Sequence, residues 1–270
     1  MDRKDVAYLI NTTPKYFYLL RLHLTLLARY APAMRWPVYL ATEAEGVPAI
    51  KDLMVEFPEL RIIGLAPDQE PFLESRLAAT NALPPEIRYV FPIQEDFLLE
   101  GRPLESVLKE SVEILDRFEG VDSLRLMPCP GPKGGATFYC GQGSQEPGWR
   151  VLGADDSMIF VYQATLWRRE AYAAFMGAVI EEVDREFGPL TPKQKVDVQI
   201  RMNVAEVELG QNILRQGNGM HLAWEREGTQ PNAVYLCPWP YRPTAVANGK
   251  LQGWAAQLAE REGIALWASV

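Results

Sequence analysis

Tyr89-Val90-Phe91-Pro92-Ile93-Gln94-Glu95-Asp96-Phe97-Leu98-Leu99 is the stretch on which the fold reading turns. A short apolar run enters it, two adjacent carboxylates interrupt it, and apolar residues resume at once. The run over Tyr89 to Ile93 reads as a buried strand, so Glu95 and Asp96 fall where that strand ends. In open α/β sheets ligands bind outside the carboxyl ends of the strands. Charges placed there cost energy unless a cation or polar ligand compensates them. The pair therefore reads either as a metal- or ribose-binding site or as a strand end reaching solvent.

Upstream, Val6 to Ile10 reads as the first strand, stopped by Asn11-Thr12-Thr13-Pro14, residue types that favour turns and helix caps. A helix is expected from Lys15 to Tyr30, with Phe17, Leu20, Leu24, Leu27 and Ala28 at helical spacing. His23 on it reads as a packed or surface side chain. Strands over Pro37 to Ala41 and Leu60 to Leu65 alternate with helices over Ile50 to Phe57 and Phe72 to Leu83. An amphipathic helix over Leu104 to Phe118 leads to a fifth strand, Ser123 to Met127. This alternation predicts right-handed βαβ units and a mainly parallel sheet. The turn after the first strand lacks G-x-G-x-x-G, which counts against a nicotinamide, flavin or P-loop enzyme.

The character changes at Pro128. Pro128 to Gly148 is dense in glycine and proline and reads as a long loop, either a binding lid or a plain surface loop. Further strands are expected at Met158 to Ala164 and Ala233 to Cys237. Helices are expected at Leu166 to Val183, Lys193 to Arg215 and Leu251 to Glu262. No internal repeat or clear linker divides the chain.

The 270 residues are 48% apolar and 23% charged, with a formal charge of −8. That describes an ordinary globular chain without the basic footprint that phosphate-backbone binding needs, so nucleic acid is not an expected partner. No apolar run reaches the roughly 18 residues of a membrane span, and the N-terminus does not read as a secretory signal. A cytoplasmic location is expected, with peripheral membrane contact left open. Cys129, Cys140 and Cys237 form no metal-ligand spacing and read as reduced, although a Cys129–Cys140 bridge stays open.

Taken in order, Ser75-Arg76-Leu77, Tyr89-Val90, Gln94-Glu95-Asp96-Phe97-Leu98, Tyr162-Gln163-Ala164-Thr165-Leu166-Trp167-Arg168-Arg169 and Val246-Ala247-Asn248-Gly249-Lys250 resemble the GT-A-type nucleotide-sugar glycosyltransferases of bacterial and viral polysaccharide synthesis. The resemblance runs from about Val6 to Ile264. It implies one GT-A-like domain over 1–270, a Rossmann-related α/β/α sandwich, with a nucleotide-sugar-binding half at 1–127 and an acceptor-side half at 128–270. It implies a nucleoside diphosphate sugar donor, a glycan or lipid-linked sugar acceptor, and Mn²⁺ or Mg²⁺. Asp96 takes the position of the metal ligand. Gln94 stands where the family carries the first acid of its D-x-D motif, which weakens the expected hold on a metal. Glu95 falls between the two motif positions.

A cation of this kind would shield a departing diphosphate. Thr12 and Thr13, at the carboxyl end of the first strand, are candidates for base and ribose contact, with helix capping as the alternative for Thr13. Arg76 and Lys250 are candidates for the nucleotide. Gln163 and Trp167 are candidates for shaping a sugar site. A general base for the acceptor hydroxyl would come from Asp155, Asp156, Glu206 or Glu208. The first two read equally well as a turn, and the latter two would lie about 200° apart on a helix. Rival readings are a nucleotidyltransferase on a similar sheet and a binding domain without turnover.

Overall fold

The computed structural model describes residues 2–66, 71–127, 137–140, 148–156, 158–201, 204–206, 208–225, 237–242, 244–247 and 249–266. The first three strands are β1 (Val6–Asn11), β2 (Val38–Thr42) and β3 (Arg61–Gly64), followed by β4 (Tyr89–Gln94) and the short β5 (Leu98–Leu99). β6 (Val121–Arg125), β7 (Thr137–Cys140), β8 (Gly148–Val151), β9 (Thr165–Arg168) and β10 (Met220–Glu225) complete the main sheet. Its order is β3-β2-β1-β4-β9-β6-β10-β8-β7. β1, β2, β3 and β4 pair in parallel, as do β6 and β10. β9 runs against both β4 and β6, and β8 runs against β10 and β7. The expected α/β class with a mainly parallel sheet is the observed one. Strands from before and after residue 128 share this single sheet.

Side-chain alternation along β1 builds the two cores. Tyr8 and Ile10 enter one apolar layer while Ala7 and Leu9 enter the other, as a strand covered on both faces requires. One face carries α1 (Phe17–Tyr30), α2 (Pro48–Glu56), α4 (Glu105–Arg117) and α8 (Gly253–Arg261). The other carries α3 (Phe72–Asn81) and α5 (Arg169–Phe187), with α6 (Pro192–Val196) and α7 (Glu208–Gln216) beyond. Helices therefore flank both faces of the sheet. Short antiparallel pairs finish the chain: β11 (Tyr241–Arg242) on β5, and β12 (Val246–Ala247) on β13 (Lys250–Leu251).

Three expectations need correction. The strand expected at Met158 to Ala164 is not one; the strand falls at β9 instead. Side chains meet much of its backbone in place of a ladder: Gln211 accepts from Phe160 N at 3.0 Å and donates to Phe160 O at 2.6 Å. Apolar composition alone cannot distinguish that arrangement from a ladder. The single helix expected over Lys193 to Arg215 is broken into α6, a π-helical turn at Asp197–Arg201 and α7. Glu206 consequently lies in a turn, and the 200° helical relation to Glu208 does not hold. β10 was not anticipated. Residues 233–236 of the strand expected at Ala233 to Cys237, most of the Pro128 to Gly148 loop and the Cys129–Cys140 question lie outside the described residues; where the expected loop is described, Thr137–Cys140 forms β7 against β8 instead.

Candidate functional site

β4 ends at Gln94, which sits in register beside Asn11 of β1. Glu95 and Asp96 then form a tight turn, closed by Phe97 N–H donating to the Gln94 carbonyl at 3.1 Å. Both acids are largely withdrawn from water: Glu95 is 6% exposed and Asp96 9%. Three groups hold the turn. His23 Nδ1 lies 3.1 Å from the Glu95 carbonyl, and its Nε2 lies 2.8 Å from the Tyr8 hydroxyl. A carbonyl only accepts, so Nδ1 carries the proton and Nε2 accepts from Tyr8. Burial lowers the His23 pKa to about 4, which keeps the ring neutral. From the opposite side, Ala245 N donates to Asp96 O at 2.9 Å and Val246 N to Asp96 Oδ2 at 3.4 Å. Tyr241 stacks on Phe97 with centroids 5.2 Å apart.

Burial dominates the electrostatics. It pushes Glu95 up to about 8, with the neighbouring Asp96 adding to the rise. It pushes Asp96 up to about 6, against the opposing pull of the Val246 N–H and the Arg76 guanidinium. Perturbed carboxylates at the carboxyl end of a central strand are a functional-site signature.

Gln94 and Phe97, which flank the turn, both line a pocket of about 320 Å³, open mouth included. Arg76 of α3, Tyr162, Gln163 and Trp167 complete the part of the wall that carries chemistry. Long-range contacts hold this wall. Glu206 accepts from Tyr162 N, and Gln211 clamps Phe160. Gln199 accepts from Leu73 N at 2.9 Å, fixing the start of α3. The Tyr241 hydroxyl donates to Gln163 Oε1 and accepts from Ala164 N at 3.0 Å. Trp167 is buried, stacked on Phe175 at 6.0 Å.

The expected residues are thus partly gathered. Arg76, Gln94, Gln163 and Trp167 share the pocket, and Glu95 and Asp96 form its adjoining turn. Thr12 is buried, its hydroxyl 3.5 Å from the Thr13 carbonyl. Thr13 is exposed and caps the following 3-10 turn through its carbonyl rather than its hydroxyl. Lys250 is exposed on β13, after Gly249, whose φ of 71° suits glycine. Asp155 is exposed. Asp156 is buried with its Oδ2 accepting from Gly153 N at 2.6 Å, so it closes a turn away from the pocket. Glu208 starts α7, and its side chain lies outside the described residues. The supporting roles of His23, Gln211 and Tyr241 had no sequence signal, because each acts on a partner 50 or more residues away.

Among the described residues no group of three or more His, Cys, Asp or Glu side chains could hold a metal ion. The donor set at the turn fits a hard cation only with the ligand's oxygens and water completing it, as Mg²⁺ sites often do.

No protein-family model matches the chain, and a search of curated proteins finds no match. Solved structures with a similar course include a 4-diphosphocytidyl-2C-methyl-D-erythritol synthase from Anaerococcus prevotii, at TM-score 0.43 and 13% identity over 82% of this chain and 88% of that one. A cytidylyltransferase from Leptospira borgpetersenii reaches TM-score 0.44 at 11% identity, covering 84% and 79%. S. aureus TarS in complex with UDP-GlcNAc reaches 0.41 at 14% identity, covering 67% of this chain and 48% of that one. These are distant likenesses, and they assign no activity.

Proposed function

We propose that the chain is a nucleotide-sugar-dependent glycosyltransferase that moves a sugar to a hydroxyl on a glycan or lipid-linked acceptor. The observation that carries this reading is the buried Glu95–Asp96 turn at the carboxyl end of β4, whose flanking residues Gln94 and Phe97 line a pocket with Arg76, Gln163 and Trp167. Two desolvated acids beside a concave, aromatic-walled pocket suit a ligand that brings its own cation and hydroxyl groups. In this reading Asp96 would hold Mn²⁺ or Mg²⁺, which would offset the charge of the departing diphosphate. Gln94 and Asn11, side by side at the strand ends, would meet the ribose, with Thr12 and Thr13 next to them. Gln163 and the edge of Trp167 would shape the sugar site, and Lys250 would face the phosphates from the rim. Residues 1–127 would then supply the donor site and 128–270 the acceptor side. Glu206 accepts from Tyr162 N and its proposed part is to hold the wall; Asp156 is committed to its own turn, and Glu208 is the acid to assay as base.

The test is a melting-temperature screen of uridine and guanosine diphosphate sugars with and without Mn²⁺. A rise with one of them, abolished in Asp96→Ala, supports the reading. No rise with any sugar nucleotide refutes it, and release of pyrophosphate from a nucleoside triphosphate would replace it with nucleotidyl transfer.

A further inference from the structure

Arg76 is the buried cation of the pocket. It is 6% exposed, and its guanidinium carbon lies 3.4 Å from the Phe72 ring centroid and 5.4 Å from that of Tyr162. Nη1 donates to the Phe72 carbonyl at 3.1 Å. That bond uses one of the five N–H donors a guanidinium carries. Among the described residues, no carboxylate lies within ion-pair distance of it. Glu95 and Asp96 feel its charge without touching it. The aromatic faces of Phe72 and Tyr162 steady the cation but give its N–H groups no oxygen to bind. Its remaining N–H groups have no protein acceptor among the described residues yet are not sealed from solvent, so they are open to whatever the pocket takes up.

A second group points the same way. Gln163 shares the pocket, and its Oε1 is occupied by the Tyr241 hydroxyl. With that bond orienting the amide, both N–H donors of its NH₂ are still on offer. Beside Gln94 and the tyrosines, the pocket therefore presents the Arg76 fork and an amide NH₂, a pair of donors suited to a ligand group made of acceptors. We propose that the Arg76–Gln163 pocket binds an oxyanion of the ligand, a carboxylate or a phosphate. The proposal rests on the sugar-nucleotide reading for the carrier of that anion, which is either the carboxylate of an acidic sugar or the diphosphate itself.

Calorimetric titration of the full chain with inorganic phosphate, UDP, UDP-glucose and UDP-glucuronate, in wild type, Arg76→Lys and Arg76→Met, tests this. Loss of a charge-assisted bond predicts about tenfold or greater weakening in Arg76→Met and a smaller loss in Arg76→Lys. If UDP-glucuronate binds more tightly than UDP-glucose and Arg76→Met erases the difference, the anion is on the sugar. If UDP and both sugars weaken alike, it is the diphosphate. If no sugar nucleotide binds but phosphate binds in an Arg76-dependent way, the glycosyltransferase reading fails and the oxyanion site stands. The site is overturned if no probe binds, or if folded Arg76→Met keeps every affinity. Should Arg76→Met not fold, Gln163→Ala removes the second donor without touching the guanidinium; a severalfold loss is expected, and unchanged affinity overturns the site.

Discussion

Replacing His23 by Leu should cost stability in a way that only a paired partner explains. The ring is buried between the Tyr8 hydroxyl and the Glu95 carbonyl, at 2.8 and 3.1 Å. Leucine fills much the same space but leaves two buried polar groups unmet. Each unmet group costs about 1–3 kcal/mol, so His23→Leu should lose about 2–6 kcal/mol. At roughly 2–4 °C per kcal/mol for a chain near this size, the melting temperature should fall by about 4–24 °C. Tyr8→Phe removes the hydroxyl and strands only the ring nitrogen, so it should cost about 1–3 kcal/mol. In the double variant neither the hydroxyl nor the ring nitrogen is there to be stranded, so the losses should fall short of additive by about 2–6 kcal/mol. Urea midpoints at unchanged slope give the four corners of the cycle. Ligand-induced stabilisation should weaken more in His23→Leu than in Tyr8→Phe, because only the former releases the turn that carries Asp96. An additive cycle, or equal ligand effects in the two single variants, would refute the claim that His23 pins the acidic turn through this chain of bonds.

Two further predictions concern pH. The folded-state pKa of Glu95 is raised from 4.5 to about 8, so the folded, ligand-free chain keeps a proton that the unfolded chain releases. Its contribution is full below the unfolded value and is lost as pH rises through the folded one. Glu95→Gln should therefore gain on the wild type between pH 5 and 8, by about 2–5 kcal/mol at the upper end; urea unfolding at both pH values checks this, and a constant difference would count against it. His221, buried beside Ser123 with Oγ 2.9 Å from its Nδ1, is lowered from 6.5 to about 4. Here the unfolded chain binds the extra proton, so stability is full above 6.5 and falls as pH drops through about 4. A His221→Gln variant should lose less stability than the wild type between pH 7 and 4.5, and an identical acid profile for both would argue against a buried neutral ring.

The β1-to-β6 half was largely legible in the chain. Short apolar runs such as Val6 to Ile10 and Tyr89 to Ile93, spaced by helical periods, leave few ways to bury both faces of a strand, and a parallel sheet follows. The acidic turn was legible for the same reason, since two charges directly after a fully apolar strand mark its exit from the core. The second half was not. The Met158 to Ala164 segment has the composition of a strand, but its backbone is claimed by Gln211 and Glu206 from across the molecule.

By itself, then, the sequence determined which residues are strands of the first half-sheet and where its carboxyl ends lie, because periodicity and burial are local properties. Only the tertiary structure decided that His23 grips the Glu95 carbonyl, that Glu206 serves the pocket wall, and that Arg76 stands buried without an ion-pair partner among the described residues. Each of these depends on groups distant along the chain meeting within about 3 Å, or failing to meet, and no local pattern encodes such encounters.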